Sequence, residues 1–78
     1  MYIYIRCLTG RVLRMEVSLS DTIHDVKRFI MFELDCRITV DQQSLLLAGK
    51  LLLDHCTLAH YHLEEFATLT LVLRLGAG

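Results

Sequence analysis

From Met1 to Cys7 the chain alternates in polarity. Ile3 and Ile5 fall on one face and Tyr2, Tyr4 and Arg6 on the other, which predicts a β-strand. Thr9-Gly10 interrupts the run with a residue free to adopt positive φ. From Arg11 to Val17 the alternation resumes, with Leu13, Met15 and Val17 inward and Val12, Arg14 and Glu16 outward. Two alternating runs joined by such a turn predict an antiparallel hairpin.

The period then changes. Ser20-Asp21-Thr22 opens a helix, and Thr22 with Asp25 forms the aspartate version of a capping box. Ile23, Val26, Lys27, Ile30 and Leu34 recur at helical spacing and make one core-facing stripe. The helix is predicted to end near Leu34 or Asp35 without the usual capping glycine, so Asp35 is the candidate for a left-handed exit. Gln42 to Leu47 reads as a third strand, Ala48-Gly49 as a turn and Lys50 to Leu52 as a short fourth strand. Asp54 to Tyr61 is irregular, with Thr57 able to cap one helical turn. Thr68 to Leu75 is the last strand, with Leu69, Leu71 and Leu73 inward and Thr70, Val72 and Arg74 outward. The order is ββαββ, a helical turn and a final β. One solitary helix beside several half-buried strands predicts that it packs across one face of a mixed sheet.

Composition narrows this further. Seventy-eight residues suffice for one small core, burying roughly 60% of the unfolded surface, so the expectation is a single domain over residues 1–78. A hydrophobic content of 54% excludes a disordered chain. Eight Lys+Arg against nine Asp+Glu are too balanced for a protein that holds nucleic-acid phosphates by charge. The densest apolar stretch, Leu45 to Leu53, is broken by Gly49 and Lys50 and falls short of the roughly 20 residues a membrane span needs. Three cysteines (Cys7, Cys36, Cys56) cannot all pair, which points to a reducing compartment, cytosol or nucleus.

Leu8-Thr9-Gly10, Glu16-Val17, Ser20-Asp21-Thr22-Ile23, Val26-Lys27, Asp41-Gln42-Gln43, Ala48-Gly49-Lys50, Thr57-Leu58, Tyr61, Thr68-Leu69 and Leu71-Val72-Leu73-Arg74-Leu75 stand in a fixed order. In that order the chain resembles the ubiquitin family along its whole length, apart from a short insertion between Ile30 and Asp41. The resemblance implies an α+β ubiquitin-like β-grasp, ββαββ(3-10)β, with one helix across a mixed sheet. It also implies work in the ubiquitin system rather than catalysis, with no cofactor.

The family's main recognition surface is an apolar patch, which the resemblance assigns here to Leu8, Leu46 and Val72, with Gly49 beside them. Polarity agrees: Val72 is outward on the last strand and Leu46 is out of phase with inward Leu45. The bland alternative is stray surface leucines, which are normal singly. The family's patch histidine is Thr70 here. The partners implied are ubiquitin-binding domains, proteasome receptors or an activating enzyme. A second apolar patch follows from the outward hairpin positions Tyr2, Tyr4 and Val12, beside which the β-grasp arrangement sets Phe66 near Tyr2. Cross-strand stabilisation explains that patch as well as a partner does. Phe29 and Phe32 fall off the helix stripe, and Leu51 and Leu53 add apolar surface around Lys50. A partner, a homodimer or the rest of a larger chain would each cover them.

Modifiers of this family act through a terminal carboxylate, and bare glycine backbone suits the narrow channel the tail must thread. The tail Arg74-Leu75-Gly76-Ala77-Gly78 departs from the family's Arg-Gly-Gly ending at Gly76 and Ala77 while keeping Arg74 and Gly78. That weighs against conjugation through Gly78 without excluding it. Only Lys27 and Lys50 exist; family lysines stand as Arg6, Arg11, Phe29 and Glu65. Lys27 on the stripe is expected to pair with Asp54, leaving Lys50 as the one acceptor candidate, or simply a solvated lysine. His55, Cys56, His60 and His62 match no established zinc spacing, so no metal is expected. A Cys–His nucleophile would need a cleft and an oxyanion hole that so small a fold offers poorly, and a lone cysteine more often fills apolar space.

Overall fold

The computed structural model describes residues 1–35 and 37–74. Strands β1 (Tyr2–Arg6) and β2 (Val12–Glu16) form the hairpin, and α1 (Ile23–Glu33) follows. A 3-10 turn at Val40–Gln42 leads into β3 (Gln43–Leu47) and β4 (Lys50–Leu51), and another at Ala59–Tyr61 precedes β5 (Thr68–Leu73). The sheet order is β2-β1-β5-β3-β4. Only β1 and β5 run parallel, so the first and last strands meet inside an otherwise antiparallel sheet. Helix α1 crosses one face of this sheet, and the expected β-grasp stands.

The alternation sets which face is covered. Ile3 and Ile5 of β1, Leu13 and Met15 of β2, Leu45 of β3 and Leu69 and Leu71 of β5 are buried in one cluster with Ile23, Val26 and Ile30 of α1. Each such side chain contributes about 1.5–3 kcal/mol by leaving water. Val17 is buried although β2 ends one residue earlier. The fourth strand stops at Leu51, and the 3-10 turn takes Gln42 from the expected third strand. Leu73, expected inward, is 37% exposed at the last residue of β5, where it borders an open groove beside the helix exit. Phe29, off the main stripe, nevertheless packs against the core cluster. Its ring is large enough to reach inward from a flanking helix position.

Helix α1 begins as predicted. The Asp25 N–H donates to Thr22 Oγ1 at 3.1 Å and the Thr22 N–H donates to Asp25 Oδ2 at 3.0 Å, completing the box. At its other end Leu34 is the C-cap, and Asp35 takes the left-handed conformation at φ 56°. Lys27 is 5% exposed, and its ammonium pairs with the carboxylate of Asp54. The Gln43 Nε2 donates to the Lys27 carbonyl at 2.9 Å, tying α1 to β3. The loop after β4 is stitched to the helix entry by Ile23 N–H to Cys56 O and His24 N–H to Asp54 O, both 3.0 Å. The N-cap of the second 3-10 turn is Leu58 rather than the expected Thr57, whose Oγ1, one residue earlier, accepts from the His60 N–H at 3.2 Å.

Three more residues besides Asp35 adopt positive φ without being glycine: Ala48 at 49°, His62 at 56° and Phe66 at 65°. Ala48 and Gly49 form a two-residue hairpin loop of the kind that needs positive φ at both positions. Phe66 is the most strained by type, a bulky side chain at the third position of a turn closed by the Ala67 N–H on Glu64 O. A second contact fixes it there, its N–H donating to Tyr2 O at 2.7 Å.

Two predictions follow from these local geometries. The hydrogen bonds from the Thr22 backbone and side chain hold the Asp25 carboxyl below its ordinary pKa. A depressed carboxyl stabilises the fold above the unfolded-state pKa, and that stabilisation is lost as pH falls through the folded value. Urea titrations of Asp25→Asn should therefore differ from wild type at neutral pH, and the gap should close on acidification through that value. At Phe66, glycine relieves left-handed strain while alanine keeps it and also loses the ring. Phe66→Gly should be more stable than Phe66→Ala by about 1 kcal/mol in urea denaturation, and the reverse order would refute the strain.

Candidate functional site

The face of the sheet opposite α1 carries the outward positions: Tyr2, Tyr4 and Arg6 on β1, Val12, Arg14 and Glu16 on β2, Ser44 and Leu46 on β3, Leu51 on β4 and Thr68, Thr70 and Val72 on β5. Strand pairing orders them. Leu46 lies opposite Thr70, and Ser44 opposite Val72, so Leu46 and Val72 are diagonal neighbours on adjacent strands. Both are half-buried rather than open, because β3 and β5 sit inside the sheet.

Leu8 is different. It stands in the hairpin turn just past the end of β1 and is 71% exposed. Together with Leu71 and Leu73 it borders a groove of about 320 Å³ between the hairpin turn and the helix exit. The fold thus brings Leu8 to the same end of β5 as Val72. Gly49, at φ 81°, occupies the exposed β3–β4 turn, which the antiparallel register sets toward the start of β5 and so at the other end from Leu8. The groove also takes in Leu34, Arg37 and Ile38, residues the pattern reading did not assign to any site. The available signal was Ile38, the one aliphatic residue in the stretch from Asp35 to Thr39.

Cations border the patch. Arg6 is directly opposite Thr70, and Arg74 follows β5 with its N–H on Gln42 O at 2.7 Å. Lys50 is exposed, with its ammonium 5.4 Å from the centre of the Tyr61 ring. Tyr61 is in turn held by accepting the Leu53 N–H at 2.7 Å. The single acceptor candidate is therefore open to solvent but leans on an aromatic face. Lys27 is withdrawn in its pair with Asp54, as expected.

The second patch is assembled differently from the expectation. Phe66 meets Tyr2 through its backbone, but its ring stacks on Tyr4 with centroids 6.1 Å apart. The Arg14 guanidinium covers the Tyr2 ring at 5.0 Å. The physical reason is register: Tyr4 lies opposite Arg14, and β2 supplies a long cation one diagonal step from Tyr2. Val12, 52% exposed, stands opposite Arg6 and outside the aromatic pair. Tyr2, Tyr4 and Phe66 are thus partly satisfied by local stacking and cation–π contact. Phe32, Leu51 and Leu53 remain exposed.

Among the described residues no three His, Cys, Asp or Glu side chains gather as a metal group would, and no helix is long and apolar enough to cross a membrane. Cys7 and Cys56 are free thiols, half-buried in separate places. Leu75, Gly76, Ala77 and Gly78, and hence the expected conjugation tail beyond Arg74, lie outside the described residues, as does Cys36.

Comparison with known proteins agrees with this architecture. A family model described as the Ubiquitin family matches residues 3–76. NEDD8-like protein RUB3 of Arabidopsis thaliana is 37% identical over 78 residues, covering 100% of this chain and 97% of that protein. NEDD8-like protein RUB1 of Saccharomyces cerevisiae is 33% identical over 78 residues, covering 100% and 99%. Ubiquitin-like protein 4A of Xenopus tropicalis is 35% identical over 74 residues, but the chain spans only 49% of its length. With its mixed sheet, its single crossing helix and this match over nearly every residue, the chain belongs to the ubiquitin family.

Proposed function

We propose that this chain is a protein-recognition module of the ubiquitin system, acting in the cytosol or nucleus and bound non-covalently through Leu8, Leu46 and Val72, with Gly49 at the margin. The observation that carries it is the apolar end of the outer sheet face. Leu46 and Val72 are diagonal neighbours there on β3 and β5, Leu8 is exposed in the hairpin turn past β1, Arg6 stands opposite Thr70, Lys50 opens β4 and Arg74 follows β5. Apolar surface rimmed by polar residues marks interaction sites on small proteins, and the cations favour partners with acidic margins. Ubiquitin-binding domains and proteasome receptors are the partner classes this implies. The family offers no catalytic machinery of its own, and the module works by being bound.

A second reading is a covalent modifier joined through Gly78, for which an activating enzyme would be the first partner. What favours it is similarity: the NEDD8-like relatives RUB3 and RUB1 are 37% and 33% identical to this chain across 97% and 99% of their own lengths. Against it stand Gly76 and Ala77, which remove the arginine and add a methyl group near the reacting carboxylate.

Each reading has its test. Titrated against a panel of ubiquitin-binding domains by calorimetry, Leu46→Asp should weaken binding by more than about tenfold, as expected for a charge placed in an apolar contact. Binding that survives this substitution would mean that another surface is used. For the second reading, the chain is incubated with ATP and a cell extract. A thiol-sensitive band lost on deletion of Gly78 makes it a modifier, and no band beside a charging ubiquitin control removes that reading.

A further inference from the structure

Strand β2 is the open edge of the sheet on the side away from β4, and its alternation decides which backbone groups lack partners. Val17, just past β2, exchanges two bonds with Met1: its N–H donates to Met1 O at 2.7 Å, and its carbonyl accepts from the Met1 amine at 2.9 Å. At the hairpin end the Cys7 N–H donates to Arg11 O at 2.8 Å. A strand's period of two turns Leu13 and Met15 to β1 as well. The N–H and carbonyl groups of Val12, Arg14 and Glu16 therefore point to the open side. All three residues are exposed, and no loop among the described residues bonds these groups. The one ion pair among the described residues joins Lys27 to Asp54, which leaves the charges of Arg14 and Glu16 unpaired.

We propose that β2 is a self-association edge, pairing antiparallel with β2 of a second copy in a register centred on Met15. Charge selects both the occupant and the register. Centring on Arg14 sets Arg14 opposite Arg14, and centring on Glu16 sets Glu16 opposite Glu16; like charges directly opposite are destabilising. Centring on Val12 or Leu13 gives neither residue an opposite charge. Centring on Met15 sets Arg14 opposite Glu16 on the outer face, twice by symmetry. The bonds across the edge then run between Arg14 and Glu16, whose backbone groups are the ones turned toward it. On the inner face Met15 meets Met15 and Leu13 meets Val17, so apolar side chains stay beside apolar ones. The contact is self-complementary, as a two-fold dimer requires. Charged residues on an edge strand ordinarily keep other strands off; this pair also admits its own copy.

The two five-stranded sheets join into one, with both helices on the same face. Because β3 and β4 lie away from β2, Leu46 and Val72 stay uncovered, and the dimer stands or falls independently of the recognition reading above. A single five-residue edge is small beside the interfaces of permanent dimers, so association depends on concentration.

The test is sedimentation equilibrium of the full chain up to millimolar concentration, together with amide hydrogen exchange read by NMR. The chain should dimerise reversibly, and less so as salt rises. The Arg14 and Glu16 amides should exchange more slowly as concentration rises, a readout that needs no variant. Arg14→Glu and Glu16→Arg each turn both pairs into like-charge contacts and should weaken the dimer at least about tenfold. The double swap Arg14→Glu/Glu16→Arg rebuilds both pairs and should restore it. A chain that stays monomeric throughout overturns the proposal and leaves the edge to a strand of another protein. A dimer whose Arg14 and Glu16 amides exchange as fast as in the monomer, or one that the double swap does not restore, overturns it as well.

Discussion

Lys27 is a charged residue held at 5% exposure in the middle of the only α-helix among the described residues, and the way it is satisfied organises the molecule. Its ammonium reaches the carboxylate of Asp54 at the margin of the core, where that side chain keeps 48% of its surface in water. Its carbonyl accepts from Gln43, which is itself fully buried on β3. One residue therefore joins the helix to the centre of the sheet and to the loop after β4. An uncompensated buried charge is far costlier than a paired one, so the helix has one acceptable depth and rotation on the sheet. Apolar packing alone would tolerate several.

That constraint propagates to the opposite face. With α1 fixed, Ile3, Ile5, Leu45, Leu69 and Leu71 must all point toward it, and a strand's period of two then places Tyr4, Arg6, Leu46, Thr70 and Val72 on the far side. The recognition surface is in this sense the remainder left by the core. Its chemical character depends on which residues the alternation leaves outward. Here they are apolar toward β3 and β4, cationic around β1 and β5, and aromatic toward the start of the hairpin.

The aromatic corner differs from the apolar end in how far it is already occupied. Tyr4 and Phe66 stack on each other and Arg14 covers Tyr2, so part of that surface has found partners within the chain. Leu8, at 71% exposure, and Leu51, at 54%, have no comparable covering. Phe66 also holds a left-handed backbone that a β-turn imposes; its own N–H bonds Tyr2 O and the Ala67 N–H closes the turn on Glu64 O, both contacts of the backbone rather than of the ring. The strain is carried by backbone pairing.

Local rules sufficed for much of this. The hairpin, the capping box at Thr22 and Asp25, the left-handed exit at Asp35 and the Ala48-Gly49 turn were all legible from residue type and spacing, with the family resemblance supplying the strand arrangement and the partner of Lys27. Each of these local features depends on neighbours a few positions away. Sheet ends and lateral contacts were not legible in this way. That Leu73 emerges into solvent, that Phe29 reaches the core, that the Phe66 ring chooses Tyr4 over Tyr2 and that Leu51 stands opposite Leu46 are matters of register and of where the sheet stops. A polarity pattern states which face a side chain takes. Only the pairing of strands distant in sequence decides which side chain stands next to it, because that neighbour comes from hydrogen bonds between segments whose separation along the chain carries no information about alignment.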